Sequence, residues 1–532
     1  MSAIAAAGQD ASQERPPLLM LGIPARKFIA FIFMVFGMFM AILDIQIVSA
    51  SLSEIQAGLA ASSDEISWVQ TSYLIAEVIM IPLSGFLSRA LSTRWLFAAS
   101  AAGFTIMSFL CATASSINEM IVYRALQGFI GGGMIPTVFA TAFSAFPRNK
   151  QAVVSPIIGL VATLAPTIGP TIGGYLTDLF SWHWLFLVNI VPGVIVAIAT
   201  FLLVDFDEPD LKLLDRFDWW GLLFMAGFLG SLEYVLEEGP TNDWFDDELI
   251  VLFTLVAAAS CVAFFLRVFL AKMPVVDIRA FRDRNFATGS AFSFVMGIGL
   301  YGLTYLYPVY LGRIRGYSAL MIGETMFVSG LAMFFAAPLA GRLMTRLDPR
   351  AMMGLGFAGF ALGTWQVTSI TSDWDFWELF VPQVLRGVSM MICMVPISNV
   401  ALGTLPPHEI KNASGLFNLT RNLGGAVGLA LINTLLNNRL DLHLVRLHEQ
   451  VAWGRTAAEE TLAKITQGMA PLGSNAEIAA IKKLAGIVRQ QATVMAFADV
   501  FYALTFLFLA LVVILPLVKK PRAAAGGGGG GH

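Results

Sequence analysis

Seven charged side chains stand inside stretches of chain that are otherwise apolar: Asp44, Glu77, Arg124, Glu233, Arg386, Arg421 and Asp499. On insertion scales, one such group at the centre of a membrane-crossing helix costs about 2.5–3.5 kcal/mol, so it normally faces a partner or a wet cavity. Low dielectric favours the neutral form of a carboxylate, and a nearby arginine favours the charged form. An acid whose distance to an arginine changes between two conformations therefore takes up a proton on one side and releases it on the other. Asp44 and Arg124 fit that role best, with Glu77 as a third candidate; the competing reading for each is a fixed structural ion pair. Glu233 lies near the end of its apolar run, where a long side chain reaches the interface. Glu324, directly after Gly323 at a helix start, reads as an acid placed against a helix dipole.

A transport cavity would draw on the neighbours of these groups. Glu77, Gln127, Glu233, Tyr305 and Met394 are the candidates to line it, within a wider set of aromatic and Met side chains that includes Phe294, Met296, Tyr301, Tyr307, Met390 and Met391. Adaptable thioethers and flat rings suit promiscuous apolar recognition; ordinary packing is the competing reading for most of them. No catalytic constellation accompanies them. There is no phosphate-cradling Gly-Lys loop, so ATP is not the direct energy source, and a proton gradient takes its place with no cofactor. The five histidines are scattered, and Cys111, Cys261 and Cys393 sit in apolar runs without metal or disulfide spacing. No basic run points to nucleic acid, and no cleavable leader is expected.

The elements that must position these groups follow from composition. Of 532 residues, 57% are hydrophobic and 13% are charged, against about 25% charged in a soluble domain. The apolar residues fall in blocks of about 20, the length that spans a bilayer. Helices are predicted near 28–50, 66–88, 95–114, 118–143, 152–180, 183–204, 218–236, 249–271, 286–312, 319–343, 351–370, 377–402, 412–436 and 494–518. The expected fold is an all-α membrane protein of fourteen spans. Lys and Arg concentrate in alternate short loops, among them Arg26, Lys27, Arg89, Arg94, Lys150, Lys212, Arg346 and Lys411, while the other loops carry acids such as Glu237, Asp243 and Asp247. That bias puts both termini on the cytoplasmic side.

The chain also repeats itself. Pro82 to Leu87 recurs as Pro338 to Leu343, and Leu126-Gln127-Gly128 recurs as Leu385-Arg386-Gly387, both at an offset of about 260 residues. Two related six-helix halves follow, with a substrate site expected where they meet near the midplane. The predicted division is a cytoplasmic tail (1–27), a first half (28–204), an inserted helix pair (205–272), a second half (273–518) containing an outer loop at 437–493, and a Gly-rich cytoplasmic tail (519–532). Within the outer loop, Leu462, Ile465, Ile478, Ile481, Leu484 and Ile487 recur at helical spacing as an apolar stripe. It either docks a partner or packs back on the protein's own outer face.

Several segments carry a family likeness. Gly85 through Arg94, with Arg89 between, resembles the loop between spans two and three of the major facilitator superfamily, and Arg124 through Gly128 resembles its span-four motif. Ala165 through Gly174, containing Gly169, Pro170, Gly173 and Gly174, is similar to the antiporter motif of span five. Trp182 through Asn189 and Gly239 through Phe245 resemble the fourteen-span drug:proton antiporters of the EmrB type. Ser88 stands where the family often has Asp, and Leu43 to Ser49 keeps the family's aspartate but changes its polar neighbours, which points to an altered substrate.

The resemblance implies two six-helix halves plus two inserted spans, and proton-coupled export of amphiphilic or lipophilic toxic compounds from the bacterial inner membrane. It also implies an EmrA-like periplasmic adaptor and an outer-membrane channel as partners. Export of an endogenous metabolite such as a siderophore or lipid, and a membrane receptor or scaffold that no longer transports, are the alternatives. Mechanically, Gly169-Pro170 and Gly424-Gly425 would let two packed helices bend at the junction of the halves.

Overall fold

A computed structural model describes residues 19–517, apart from 21–22, 50, 452–454, 470 and 472–474. All fourteen expected spans are helical. They are α1 (Ala25–Ser49), α2 (Trp68–Ala90), α3 (Thr93–Ala112), α4 (Ile117–Ser144), α5 (Gln151–Leu179), α6 (Trp184–Leu203) and α7 (Trp219–Glu238). The rest are α8 (Glu248–Leu270), α9 (Arg284–Arg313), α10 (Ala319–Met344), α11 (Pro349–Val367), α12 (Phe376–Leu402), α13 (Pro407–Gln450) and α14 (Ala476–Ile514).

Twelve of these are long and apolar enough to cross a membrane on their own composition. The other two, α11 and α13, are diluted by glycine and polar residues and gain apolar surroundings from neighbours: α11 lies between α12 and α14, and α13 packs along α9. Satisfied backbone hydrogen bonding is what a span requires in lipid, and a helix provides it whatever its side chains. Lipid-facing surface shows in α8, where Leu252, Leu255, Phe269 and Leu270 are all exposed.

The two halves repeat one packing scheme. In the first half α5 lies on α1, and in the second α13 lies on α9; between halves, α5 meets α10 and α2 meets α13. Close approach makes this possible: a Cβ on Gly173 would sit 2.7 Å from the Ile47 carbonyl oxygen, and one on Gly428 2.8 Å from the Ile298 Cα. The Gly/Pro-rich helices α5 and α13 thus do not pack on each other, contrary to the sequence reading. Gly169 and Gly173 of α5 face α1, and Gly424, Gly425 and Gly428 of α13 face α9, whereas Gly159 and Gly415 face α12 and α2 of the opposite half.

The inserted pair is not peripheral. Its first helix, α7, packs against both α2 and α13, while α8 packs mainly on α7. At the acidic end of the bundle the pair is tied to both halves: Thr71 Oγ1 donates to Glu238 (2.9 Å), Trp244 Nε1 donates to Thr434 Oγ1 (2.9 Å), and Trp68 stacks on Tyr234.

The segment expected as a loop over 437–493 is largely helix continuous with the spans. α13 runs on to Gln450, α14 begins at Ala476, and a short helix, Thr456–Gly468, packs on α14. Helix propensity without a breaker carries both spans beyond the apolar region. Ala458, Ala476 and Ala480 are buried, whereas of the stripe Ile478, Ile481 and Ile487 are exposed and Leu462, Ile465 and Leu484 are half-buried.

Candidate functional site

The polar node of the first half is built by five helices, α1, α2, α3, α4 and α6. From α4, Arg124 Nη1 donates to Asp44 Oδ2 of α1 at 2.6 Å and to Gln127 Oε1 at 2.7 Å, while its Nε donates to the Val69 carbonyl at 3.1 Å. Gln127 Nε2 donates to Ser108 Oγ (2.7 Å) and to Asp44 Oδ1 (3.3 Å), and Asn189 Nδ2 of α6 donates to Asp44 Oδ1 at 2.8 Å. The Arg124 guanidinium lies 4.3 Å from the centre of the Tyr73 ring. Asp44, Arg124 and Gln127 are each 0% exposed. A buried ion pair repays its desolvation only where further hydrogen bonds accompany it; here they hold both Asp44 oxygens and the Arg124 Nε and Nη1, while Arg124 Nη2 has no partner.

The cavity lies on a different face. A space of about 400 Å³ is walled by Gln46 of α1, Leu74 and Glu77 of α2, Pro170 of α5, Glu233 and Glu237 of α7, Tyr301, Thr304 and Tyr305 of α9, and Asn422 and Asn433 of α13. Both halves and the inserted helix contribute. Glu77 is 2% exposed, and its Oε1 has no hydrogen-bond partner. Glu233, whose position near a helix end suggested an interfacial side chain, is instead buried in the cavity wall. Arg421, behind Asn422, is buried with Nε and Nη1 unpartnered.

Three of the five cavity candidates therefore reach it: Glu77, Glu233 and Tyr305. Gln127 does not, because the node consumes its amide. Met394 does not either: it is 1% exposed and packs near Gly159 at the junction of α12 and α5. Asp44 is also absent from the wall, since its neighbours Ile45 and Gln46 face the cavity while Asp44 faces α4 and α6. Asp499 is held by His443 (2.9 Å) and Arg439 (3.6 Å), an arrangement that joins α13 to α14.

At the basic end the halves are closed. Lys411 of α13 donates to the Ser88 carbonyl at 2.9 Å and pairs with Asp207, which also accepts from the Thr93 N–H at the start of α3. Ser414 Oγ donates to the Pro136 carbonyl at 2.6 Å. Gly85 sits directly on the α13 backbone, where a Cβ would lie 2.8 Å from the Lys411 carbonyl oxygen. Arg89 Nε donates to the Gly85 carbonyl, and Arg94 caps the end of α6 through the Val204 carbonyl (2.5 Å) and pairs with Asp205 (2.7 Å). Ser88 itself donates to the Gly85 carbonyl, so the carboxylate missing from this loop is supplied by Asp207. The sequence reading missed Asp207, Lys411, Asn189, Ser108 and Glu237. Asn189 alone carried a signal, as the polar end of the quoted Trp182–Asn189 segment.

Two related six-helix halves, a cavity between them reaching toward one end, and a closed seam at the other define a secondary transporter of the alternating-access type. The model of the major facilitator superfamily matches residues 34–429, and the chain belongs to that superfamily. It is 42% identical to the colistin resistance protein EmrB of Acinetobacter baumannii, over 89% of this chain and 93% of that protein. It is 30% identical to the fatty acid resistance protein FarB of Neisseria gonorrhoeae, over 91% and 94% of the two chains. Among solved structures, the proton:xylose symporter XylE shares the fold with a TM-score of 0.58 at 11% identity, covering 94% of this chain and 97% of that one. The chain is a multi-span transporter of the inner membrane.

Proposed function

We propose that this chain is a proton-coupled exporter of toxic amphiphilic compounds, with cargo held in the cavity between the halves. The observation that carries the reading is the cavity's chemistry. Tyr301, Tyr305, Leu74 and Leu236 offer apolar surface, while Glu77, Glu233 and Glu237 place three carboxylates along one side, and the Glu77 oxygen lacks a partner. An acid wall of this kind favours cargo with a cationic group. The names of the relatives, which concern colistin and fatty acid resistance, support toxic-compound export.

The proton path uses Asp44 and Arg124. Both are sealed from the cavity in this conformation, so protonation of Asp44 accompanies the rocking that loosens the node. Glu77 titrates from the cavity side and competes there between proton and cargo. Opening of the Lys411–Asp207 seam at the basic end, on the side that loop charges assign to the cytoplasm, admits the next cargo molecule.

An EmrA-like adaptor and an outer-membrane channel complete a tripartite pump. The exposed Ile478, Ile481 and Ile487 on the extended part of α14 supply an apolar face for the adaptor. Replacing all three with Ser is expected to remove adaptor co-purification while transport into vesicles continues. The central test is compound accumulation in a host lacking its own pumps, with and without a proton uncoupler. Uncoupler-insensitive efflux, or none, overturns the reading. Glu77→Gln is expected to weaken export of cationic compounds more than of neutral ones; a uniform loss counts against cation selection.

A further inference from the structure

The repeat that relates the halves also relates their polar nodes. Arg124 and Gln127, one helical turn apart on α4, correspond to Gln383 and Arg386 on α12, so the same two residue types appear in exchanged order. Thr304 of α9 stands at the position of Asp44 in α1, at the same offset of about 260 residues. The contacts repeat as well. Gln127 donates to Asp44 in the first half, and Arg386 Nη2 donates to Thr304 Oγ1 at 2.5 Å in the second.

One component is missing from the second node. Arg386 is 3% exposed, and its neighbours are all neutral: Thr304, Gln383 Oε1 at 3.3 Å, Met326 Sδ at 4.0 Å and the Tyr307 ring at 5.8 Å. No carboxylate pairs with it among the described residues. A guanidinium without its counter-charge is costly in a membrane interior, and the repeat shows what the fold uses to compensate one, namely an acid on the first helix of the half. Here that position is a hydroxyl that lines the cavity. Through Thr304, whose hydroxyl accepts from Arg386 and donates to the Leu300 carbonyl, the second node thus borders the cargo space that Glu77, Glu233 and Glu237 also line.

We propose that Arg386, reached beside Thr304, receives an anionic group of the cargo, so that the transporter favours amphiphiles bearing both a cationic and an anionic centre. This rests on the cavity being the cargo site. A carboxylate lodged beside Thr304 accepts from Arg386 as Asp44 accepts from Arg124 Nη1, while the cargo's ammonium faces Glu77 and Glu233. A guanidinium can also offer a carboxylate two parallel donors, which an ammonium cannot, and this distinguishes Arg from Lys.

The test uses three probes built on one aromatic scaffold: a primary amine, a carboxylic acid, and the amino acid carrying both groups. Binding to the purified full chain is measured by calorimetry. The wild type is expected to hold the amino acid about tenfold more tightly than the amine, the scale of one hydrogen bond to a charged group. Arg386→Gln is expected to bring that ratio to near one, and Arg386→Lys to keep part of it. Thr304→Asp supplies the missing acid within the protein. It reproduces a node that the first half already folds, and it is expected to abolish the preference even if Arg386→Gln fails to fold. A wild-type ratio of one, or a ratio that survives Thr304→Asp, overturns the proposal. If none of the probes binds the wild type, the cavity reading falls and takes this proposal with it. If Glu77→Gln leaves amine affinity untouched while the ratio behaves as stated, the acid wall is wrong and the role of Arg386 stands.

Discussion

The two nodes differ less in residue content than in where their charge is answered. In the first half the arginine, the acid and two amides form a closed set, with Asp44 receiving three side-chain donors. In the second half a threonine replaces the acid, and Arg386 has only neutral neighbours. Duplicated architecture is therefore compatible with divided labour. The closed node suits a proton, which is small enough to enter a sealed site, and the node that borders the cavity suits a cargo group. The comparison also explains why the Asp44 side chain, the most distinctive group in the sequence, lies out of reach of the cavity.

The largest effect expected from breaking this asymmetry is in Arg124→Ala. It strands Asp44 in the interior, and removing one partner of a buried pair costs about 3–5 kcal/mol. Yield of folded protein in membranes should drop sharply and export should vanish. The double variant Asp44→Asn with Arg124→Gln removes both charges; it should recover much of the yield without recovering proton-driven export. Full export by the double variant would show that the pair is structural. Asp44→Asn alone leaves the Arg124 charge without its acid and should lower stability, but Arg124 keeps Gln127 and the Val69 carbonyl, so folded protein should still be recovered in membranes and should lose uphill export. Transport assays on reconstituted protein, with and without a pH gradient, decide this.

Arg386→Ala sharpens the comparison at smaller amplitude. It strands no acid, so its stability cost should stay near that of lost neutral hydrogen bonds, about 1 kcal/mol each. Thermal unfolding in detergent, measured side by side for Arg124→Ala and Arg386→Ala, should give the larger shift for the first-half variant. Equal shifts would mean that Asp44 contributes nothing special to the first node.

Most of the fold was legible because lipid imposes a simple rule, about 20 apolar residues per crossing, and loop charges then mark the ends. The candidate site was legible only in part, for a reason visible in single residues. Asp44, Glu77 and Arg124 announce themselves as charges in apolar surroundings, yet periodicity does not say which face of a helix meets which neighbour. Hence Gln127 and Met394 were assigned to a cavity that neither touches, and Glu237, one turn from Glu233, went unnoticed as a wall residue. The 437–493 segment misled because a polar helix continuous with a span has no sequence boundary where the membrane stops. Lys411 and Asp207 meet across the seam although they lie far apart in the chain, and no local pattern links them.

That seam carries the last prediction, and the smallest effect. Lys411 and Asp207 are half-buried rather than sealed, with side-chain exposures of 16% and 21%, so their pairing is worth far less than the Asp44–Arg124 pair. An ion pair nearer the surface contributes about 0.2–1 kcal/mol, yet this one acts on a balance between two conformations, and each 1.4 kcal/mol there is a tenfold change in population. Lys411→Ala should leave the fold intact and raise the share of molecules open at the basic end by about 1.4- to fivefold, in line with that exposed-pair range. A cysteine introduced at Asn418, which is buried behind the seam, reports the change: its labelling by a water-soluble maleimide should quicken in Lys411→Ala and in Asp207→Asn alike. Since Asp207 also caps α3 through Thr93, its variant should be slightly less stable than the lysine variant while labelling no faster. If labelling is unchanged in both, the seam is held by backbone packing at Gly85 and Ser414 alone, and the electrostatic latch plays no part in the cycle.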